Sequence, residues 1–475
     1  MPSPKIEVRA TAQGTPDLVT FFEKGQPLPP GVGPAEFEGA PLSIVLLRDK
    51  TQRTLVVGLG EKAEFAPDLF SRAAGTAIKQ LLQLGARDIA LDLTNYATHA
   101  GPALEGALLA AYKFAGFAVD PKKQTRGILS RLQLLVPENE VTAVRTRARD
   151  AEVVASLVNE IRGIGNLPGN MITPAILAER AAALARGRKV TLKVWNEKQL
   201  KREGFGGILA VGQGSAHPPR LLALEYRGGP KKAAPIAFIG KAVTFDTGGI
   251  SIKPSAQMDE MKFDKMGGLA VLAILLAAAD LKLPLNLIGM IPSAENMPGP
   301  GAYRPGDIIT TRDGKTIEVL NTDAEGRILL ADAIAHARLT YHPSAIIEYS
   351  TLTGACIMAL GHRRAGLFTK DKKWRDLLVA AGETTGEKVW PMPIDDEYRE
   401  AVRSEIATAK NSSFREGSAC SSASFVKLWA EEIPFAHIDI AGTAWTTKPP
   451  GHLEGGASGF GVRLALEALR LHLAG

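Results

Sequence analysis

Two stretches of the chain concentrate side chains that could do chemistry together. The first, Lys241-Ala242-Val243-Thr244-Phe245-Asp246-Thr247-Gly248-Gly249-Ile250-Ser251-Ile252-Lys253, continues to Met261-Lys262-Phe263-Asp264 and sets lysines and aspartates on glycine-rich backbone. Glycine tolerates dihedrals that other residues avoid and lets backbone approach closely, so such a segment can turn several side chains toward one point. The second, Asn321-Thr322-Asp323-Ala324-Glu325-Gly326-Arg327, follows an apolar run at 317–320 and precedes an alanine-rich helical pattern that starts near Ile328. Asp and Glu two residues apart in extended backbone point the same way and can reach one cation. Each stretch alone also has an ordinary reading: a solvated turn for the first, and acids favouring a helix N-terminus with an arginine surface partner for the second.

Together they offer four carboxylates, Asp246, Asp264, Asp323 and Glu325, and two lysines, Lys241 and Lys253, with no histidine among them. None of the eight histidines has metal-motif spacing, and the His-Glu-x-x-His pattern of single-zinc proteases is absent. An oxygen-rich set suits hard or borderline divalent ions, Mg, Mn and Zn among them. Four carboxylates balance two divalent ions, so the expectation is a metal pair separated by roughly 3.5 to 4 Å, as in two-metal hydrolases.

Such side chains need a frame. Apolar β-type runs recur between helical segments at 221–225, 236–239, 285–291, 345–349 and 436–440. That pattern predicts an α/β fold with a central, mostly parallel sheet flanked by helices. In such sheets ligands gather at the carboxyl ends of strands. Thr173-Pro174 opens a helix to about residue 186, with threonine as N-cap and proline at the first helical position. Earlier, β-rich runs at 43–47 and 54–57 alternate with alanine-rich helical ones such as 71–84. At 475 residues the chain exceeds the roughly 250 to 300 at which one core stops growing. The expected division is a smaller N-terminal α/β domain at 1–150, a linker helix at 151–165 and a larger catalytic domain at 166–475.

Composition narrows the function class. The apolar and charged fractions, 45% and 22%, are those of a globular protein. The net charge of +6 is spread along the chain rather than clustered, so nucleic acid is not the expected partner. Two cysteines, Cys356 and Cys420, are too few for a disulfide framework or a thiolate metal site and fit a reducing compartment. The N-terminal stretch lacks signal-peptide organisation, so a cytoplasmic location is expected. The longest apolar stretch, 267–279, falls short of the roughly 20 residues that cross a bilayer and reads as a buried helix.

Both chemical stretches resemble the signature segments of the leucyl aminopeptidase (cytosol aminopeptidase) family of two-metal metallopeptidases. Residues 166–174, Thr351-Leu352-Thr353-Gly354-Ala355, Asn411-Ser412-Ser413 and Asp439-Ile440-Ala441-Gly442-Thr443-Ala444-Trp445 are similar to family segments too, so the likeness covers about 160–475. It implies an aminopeptidase that hydrolyses the N-terminal residue from peptides and aminoacyl amides, with a macro-like N-terminal domain. Asp246 and Glu325 would bridge both metals, with Asp323 on one ion and Lys241 and Asp264 on the other. The resemblance further implies a bridging hydroxide as nucleophile, Lys253 as the electrophile and Arg327 as the holder of a bicarbonate that shuttles the proton. Met261, Asn321, Thr351, Gly354 and Ala441 would lie on the substrate side. The implied ions are Mn2+ or Zn2+, with Mg2+ or Co2+ as alternatives, and the implied assembly is a homohexamer of paired trimers. A lysine ligand must be neutral, so two adjacent cations must depress its pKa well below about 10.4. One departure is visible: Lys265-Met266-Gly267-Gly268-Leu269 replaces the commoner Met, small residue, Gly, Ala, Ala.

Two other classes stay open at this point. A two-metal phosphoesterase would share the carboxylates but normally adds His or Asn ligands. A binding protein would use the positive charge for DNA or the N-terminal unit for a nucleotide. Gly212-Gln213-Gly214 lacks the third glycine of a dinucleotide fingerprint and reads as a loop. His217, His362 and His437 have no partner spacing and read as structural.

Overall fold

The structure is a computed structural model describing residues 4–50, 52–114, 116–117, 127–449 and 451–475. The chain forms two compact units, Met1–Asn159 with Thr447–Gly455, and Glu160–Thr446 with Gly456–Gly475.

In the first unit, β1 (Lys5–Arg9), β2 (Asp17–Glu23), β3 (Ile44–Arg48), β4 (Arg53–Gly60), β5 (Asp88–Asp92) and β6 (Arg131–Leu135) form one sheet in the order β1-β6-β5-β2-β4-β3. Only the β3–β4 pair is antiparallel. From Leu55 onward β4 is buried at every residue, as a strand covered on both faces must be. The helix Pro67–Gln83 starts on a proline, whose missing N–H costs nothing there, and buries Phe70, Ala73, Ala77 and Leu81 at helical spacing. The polar stretch before residue 151 is helical as well, within one helix from Val141 to Gly165.

The second unit carries β7 (Val190–Trp195), β8 (Arg220–Arg227), β9 (Ile236–Gly240), β10 (Ala242–Asp246), β11 (Asn286–Asn296), β12 (Ile308–Thr310), β13 (Thr316–Glu318), β14 (Ala345–Ser350), β15 (Ala365–Phe368), β16 (Val389–Met392), β17 (Ala409–Lys410), β18 (Phe435–Asp439), β19 (Trp445–Thr446) and β20 (Gly456–Ala457). Its main sheet runs β16-β15-β18-β14-β9-β11-β8-β7, with β10 on β11. The centre, β18-β14-β9-β11, is parallel, while β8 and β7 on one side and the β15–β18 pair on the other are antiparallel. A mostly parallel sheet is therefore present, bordered by antiparallel pairings, of whose outer strands the apolar runs revealed β8 but not β7, β15 or β16.

Two helices sandwich the centre. Ala237 and Ile239 of β9 and Ile288 and Met290 of β11 share a core with Ile328, Leu329 and Ala331 of the helix Gly326–Tyr341. On the opposite face, a side chain at Gly289 would strike Leu275 and Val271 of the helix Met266–Asp280, which is buried from Met266 to Ala279. The predicted N-cap holds: the Thr173 side chain accepts from the Ile176 N–H, and the helix runs Pro174–Ala185. Among the described residues no helix is long and apolar enough to cross a membrane.

The frame opens at Lys241. β9 lies between β14 and β11 up to Gly240, which faces Tyr349; after Lys241 the strand resumes as β10, paired with β11 alone. The Lys241 N–H still donates to the Tyr349 carbonyl at 3.1 Å, and its own carbonyl accepts from Gly268 at 2.7 Å. Beyond that point β10 and β14 part, leaving the crevice at strand carboxyl ends where α/β proteins bind ligands.

Candidate metal centre

Four loops deliver side chains into this crevice. Lys241 and Asp246 bracket β10, and a register shift between Val243 and Asp246 re-aims the aspartate at the strand end. The chain then turns back through Gly248 (φ 87°) and Gly249 (φ 67°). A Cβ on Gly248 would also stand 2.9 Å from Asp323 Oδ1, so this turn demands glycine for both dihedral and space. Asp264 follows the short 3-10 helix Met258–Phe263, and Thr351 follows β14.

Asp323 and Glu325 occupy a turn rather than extended backbone, because β13 belongs to the separate three-stranded sheet β12-β13-β17 and ends at Glu318. Glu325 already has helical dihedrals as the residue preceding the helix Gly326–Tyr341. The two acids converge because the turn curls them inward, not through strand alternation.

The resulting cluster is dense. Asp246, Asp323 and Glu325 each present an oxygen, all within 4.8 Å of one another. Lys241 Nζ lies 2.9 Å from Asp264 Oδ2 and 2.6 Å from Glu325 Oε1, which brings Asp264 into the set. Lys253 Nζ lies 2.9 Å from Asp246 Oδ2 and also pairs with Asp323. Lys241, Asp246, Asp264 and Glu325 are buried, whereas the Lys253 and Asp323 side chains keep 21% and 32% exposure. The cluster therefore opens to solvent on the Lys253–Asp323 side.

Its electrostatics are under-compensated. Four carboxylates face two ammonium groups, and Asp264 Oδ2, Asp323 Oδ1 and Glu325 Oε1 are buried without accepting a well-directed hydrogen bond, although lysines stand near. Burial pushes the Asp264 and Asp323 carboxyls above the usual range. Burial works to lower the Lys241 ammonium, but Asp264, Glu325 and Asp246 outweigh it and hold the pKa raised; Lys253 is raised by Asp246, Glu325 and Asp323 against the same penalty. Four converging carboxylates held by only two lysines fit divalent cations.

Arg327 is buried in the first turn of its helix, where desolvation lowers its pKa to about 10. Its Nη1 donates to the Asn411 carbonyl at 2.7 Å, and its Nε has no hydrogen-bond partner among the described residues. Asn411 clips the whole acidic turn: its Nδ2 donates to Asn321 O (2.6 Å) and Ala324 O (3.3 Å), and its Oδ1 accepts from Leu320 N–H (2.8 Å) and Asn321 N–H (3.3 Å).

Of the expected substrate-side residues, Thr351 donates its hydroxyl to Asp264 Oδ1, and Asn321 Oδ1 accepts from the Asp323 N–H at 2.9 Å. Met261 sits on the 3-10 helix that leads to Asp264, and Gly354 begins the helix Gly354–Leu360 with open space above its Cα. Ala441 is tied to Asp439, not to the metal-type carboxylates. Its N–H and that of Leu352 both donate to Asp439 Oδ1, at 3.0 and 3.2 Å, while Thr353 donates to Oδ2 at 2.7 Å. Asp439 thus binds the loop after β14 to the loop after β18.

Sequence reasoning gave Asp439 no role and did not mention Asn296 or Tyr303; no spacing rule announces them. The unusual Lys265 turns away from the cluster, its ammonium donating to Leu167 O (3.0 Å) and Lys262 O, and burial lowers its pKa to about 7. Two histidines have structural partners: His437 pairs with Glu348 across β14 and β18, and His362 Nδ1 lies 2.8 Å from Gly442 O.

Comparison with known proteins agrees with this geometry. The pattern of the cytosol aminopeptidase family's catalytic domain matches residues 159–466, and that of its N-terminal domain matches residues 35–120. A probable cytosol aminopeptidase of Cenarchaeum symbiosum is 44% identical over 427 residues, 88% of this chain and 86% of that protein. Another from Roseiflexus castenholzii is 43% identical over 456 residues, 94% and 93% of the two chains. Among solved structures, the bottromycin maturation enzyme BotP in complex with Mn superposes with a TM-score of 0.88 at 32% identity, over 97% of this chain and 100% of that one. With both domain patterns matched in order and the acidic crevice in the larger domain, the chain belongs to the cytosol aminopeptidase family of metallo-exopeptidases.

Proposed function

We propose that the protein removes the N-terminal residue from peptides and aminoacyl amides, using a pair of divalent ions held by Lys241, Asp246, Asp264, Asp323 and Glu325. Family membership makes it a hydrolase of the aminopeptidase class. The observation that supports the metal reading most directly is the convergence of four carboxylates, three of them buried, on only two lysines. Asp246 and Glu325 lie centrally enough to serve both ions, with Asp323 on the open side and Lys241 and Asp264 on the buried side. Mn2+ and Zn2+ are the favoured ions, with Mg2+ and Co2+ as alternatives; the likeness to a Mn complex supports manganese. When bound, such a pair supplies a hydroxide nucleophile at neutral pH and polarises the scissile carbonyl.

The chain's own groups complete the reaction. Lys253, partly exposed at the cluster's open side, places positive charge where the oxyanion develops. Arg327 offers a buried cation with a vacant Nε–H, suited to hold bicarbonate as the proton carrier. Met261, Asn321, Thr351, Gly354 and Ala441 border the peptide's first residue, whose free α-amine would dock on the ions that the cluster holds. The first compact unit is read as a macro-like domain and the second as the catalytic one, close to the 1–150 and 166–475 division with 151–165 inside the helix Val141–Gly165, and the assembly as a homohexamer in the cytoplasm.

A panel of aminoacyl amides and N-acetylated counterparts, assayed at verified metal content, tests the reading. Cleavage of the free-amine substrates alone is expected; activity on phosphate esters and none on amides would overturn it.

A further inference from the structure

Asn296 ends β11 fully buried, at the register position facing Asp246. Its amide nitrogen donates to two acceptors from different segments, Asp246 Oδ1 at 2.8 Å and the Thr322 carbonyl at 3.0 Å. Its backbone carbonyl accepts from Thr247, through the N–H at 3.0 Å and the hydroxyl at 2.8 Å. Asp246 Oδ1 receives a second donor, the Gly248 N–H at 2.9 Å, whereas Oδ2 is the oxygen that faces Lys253. One carboxylate oxygen is thus committed to the protein and the other to the cluster.

We infer that Asn296 is a positioning residue for the metal centre: it fixes the rotation of Asp246 so that Oδ2 alone is offered to cations, and it joins the two ligand-bearing segments at a fixed spacing. The inference rests on the reading of Asp246 as a metal ligand. Groups that orient ligands in this way set metal affinity, and their loss typically costs 10- to 100-fold. A comparison residue is built into the fold. Tyr303 OH donates to the same Thr322 carbonyl at 2.7 Å and is not among the two donors that hold Asp246 Oδ1, so removing it disturbs the acidic turn and leaves the Asp246 clamp in place.

Mn2+ titration calorimetry on chelator-stripped, full-length protein tests this in wild type, Asn296→Ala, Asn296→Leu and Tyr303→Phe, beside metal-free thermal melts. The Asn296 variants are expected to bind Mn2+ roughly 10- to 100-fold more weakly, and Tyr303→Phe within about threefold of wild type. Leucine, which repeats asparagine's branch at Cγ without its donor, carries the test should the alanine variant not fold. Unchanged affinity in a folded Asn296 variant would overturn the inference, as would an equal loss in Tyr303→Phe, which would assign the effect to packing of the turn. Wild type that binds no Mn2+ would instead overturn the metal-centre reading beneath it.

Discussion

Lys241 Nζ lies 2.6 Å from Glu325 Oε1, a buried ammonium held where the proposed reading requires a neutral amine. The two states are consistent. Burial favours the neutral amine, and only the surrounding carboxylates keep the charge on. Divalent cations that satisfy those carboxylates remove the opposing influence and add repulsion, so metal binding should release a proton from Lys241.

Chelation should abolish peptidase activity while leaving a folded protein, because Lys241 and Lys253 partly neutralise the carboxylates. Circular dichroism beside activity and metal content checks this; Mn2+ should restore turnover. Full activity in a verified metal-free preparation would contradict the mechanism.

The two lysines should separate on mutation. Lys253→Ala should retain both ions and lose a factor on the order of 10² to 10³ in kcat, as for a lost oxyanion donor, with KM little changed. Lys241→Ala should lower occupancy of one ion, and excess metal should partly rescue it. Metal loss in Lys253→Ala with full occupancy in Lys241→Ala would reverse the role assignment.

Gly326→Ala tests the closeness of the helix start to Lys241. A Cβ there would stand 2.8 Å from Lys241 Cδ and 2.9 Å from Cε and Nζ. At this first helical position alanine gains less than the interior difference of about 1 kcal/mol, whereas overpacking costs about 1 to 3 kcal/mol. If the lysine swings aside to relieve the clash, it leaves its place between Asp264 and Glu325. Stability by denaturant melt should therefore change little or fall modestly, and metal affinity should fall clearly. Unaltered affinity would show that Lys241 need not hold its present position.

A pH effect should arise far from the metals. His336 is buried among Trp195, Phe205 and Tyr341, and burial, then Arg312, lowers its pKa to about 4. The unfolded chain takes up this proton near 6.5 and the folded one only near 4, so stability is complete above 6.5 and declines as pH falls through that window. The loss is on the order of 1 to 3 kcal/mol. Thermal melts of wild type and His336→Phe between pH 4 and 7 check it: wild type should lose stability relative to the variant on acidification, and parallel curves would refute the assignment.

The residues of the acidic cluster were legible because they lie within two short stretches whose glycines and acids have few other uses together. The parallel centre was legible because its strands, buried on both faces, read as unbroken apolar runs. β7 escaped notice because its alternating exposure gives no apolar run, as did β15 and β16, which are only four residues long. The acidic turn was misjudged as strand-like because residues 317–320 look like a β-run, and nothing local shows that β13 belongs to a small side sheet. Asn296 went unseen, and Asp439 was seen only as part of the segment 439–445 with no role, for a different reason. Each works through tertiary hydrogen bonds to distant segments, and a lone Asn or Asp at a strand end has no signature.

The Asn411 clip also sets a timetable. Its bonds to Leu320 and Arg327 span 91 and 84 residues. During synthesis the acidic turn therefore waits for residue 411 to leave the ribosome, several seconds later at roughly 5 to 20 residues per second. Until then Asp323 and Glu325 lack the brace that holds their turn. A nascent chain that has not yet exposed residue 411 therefore carries an unbraced acidic turn.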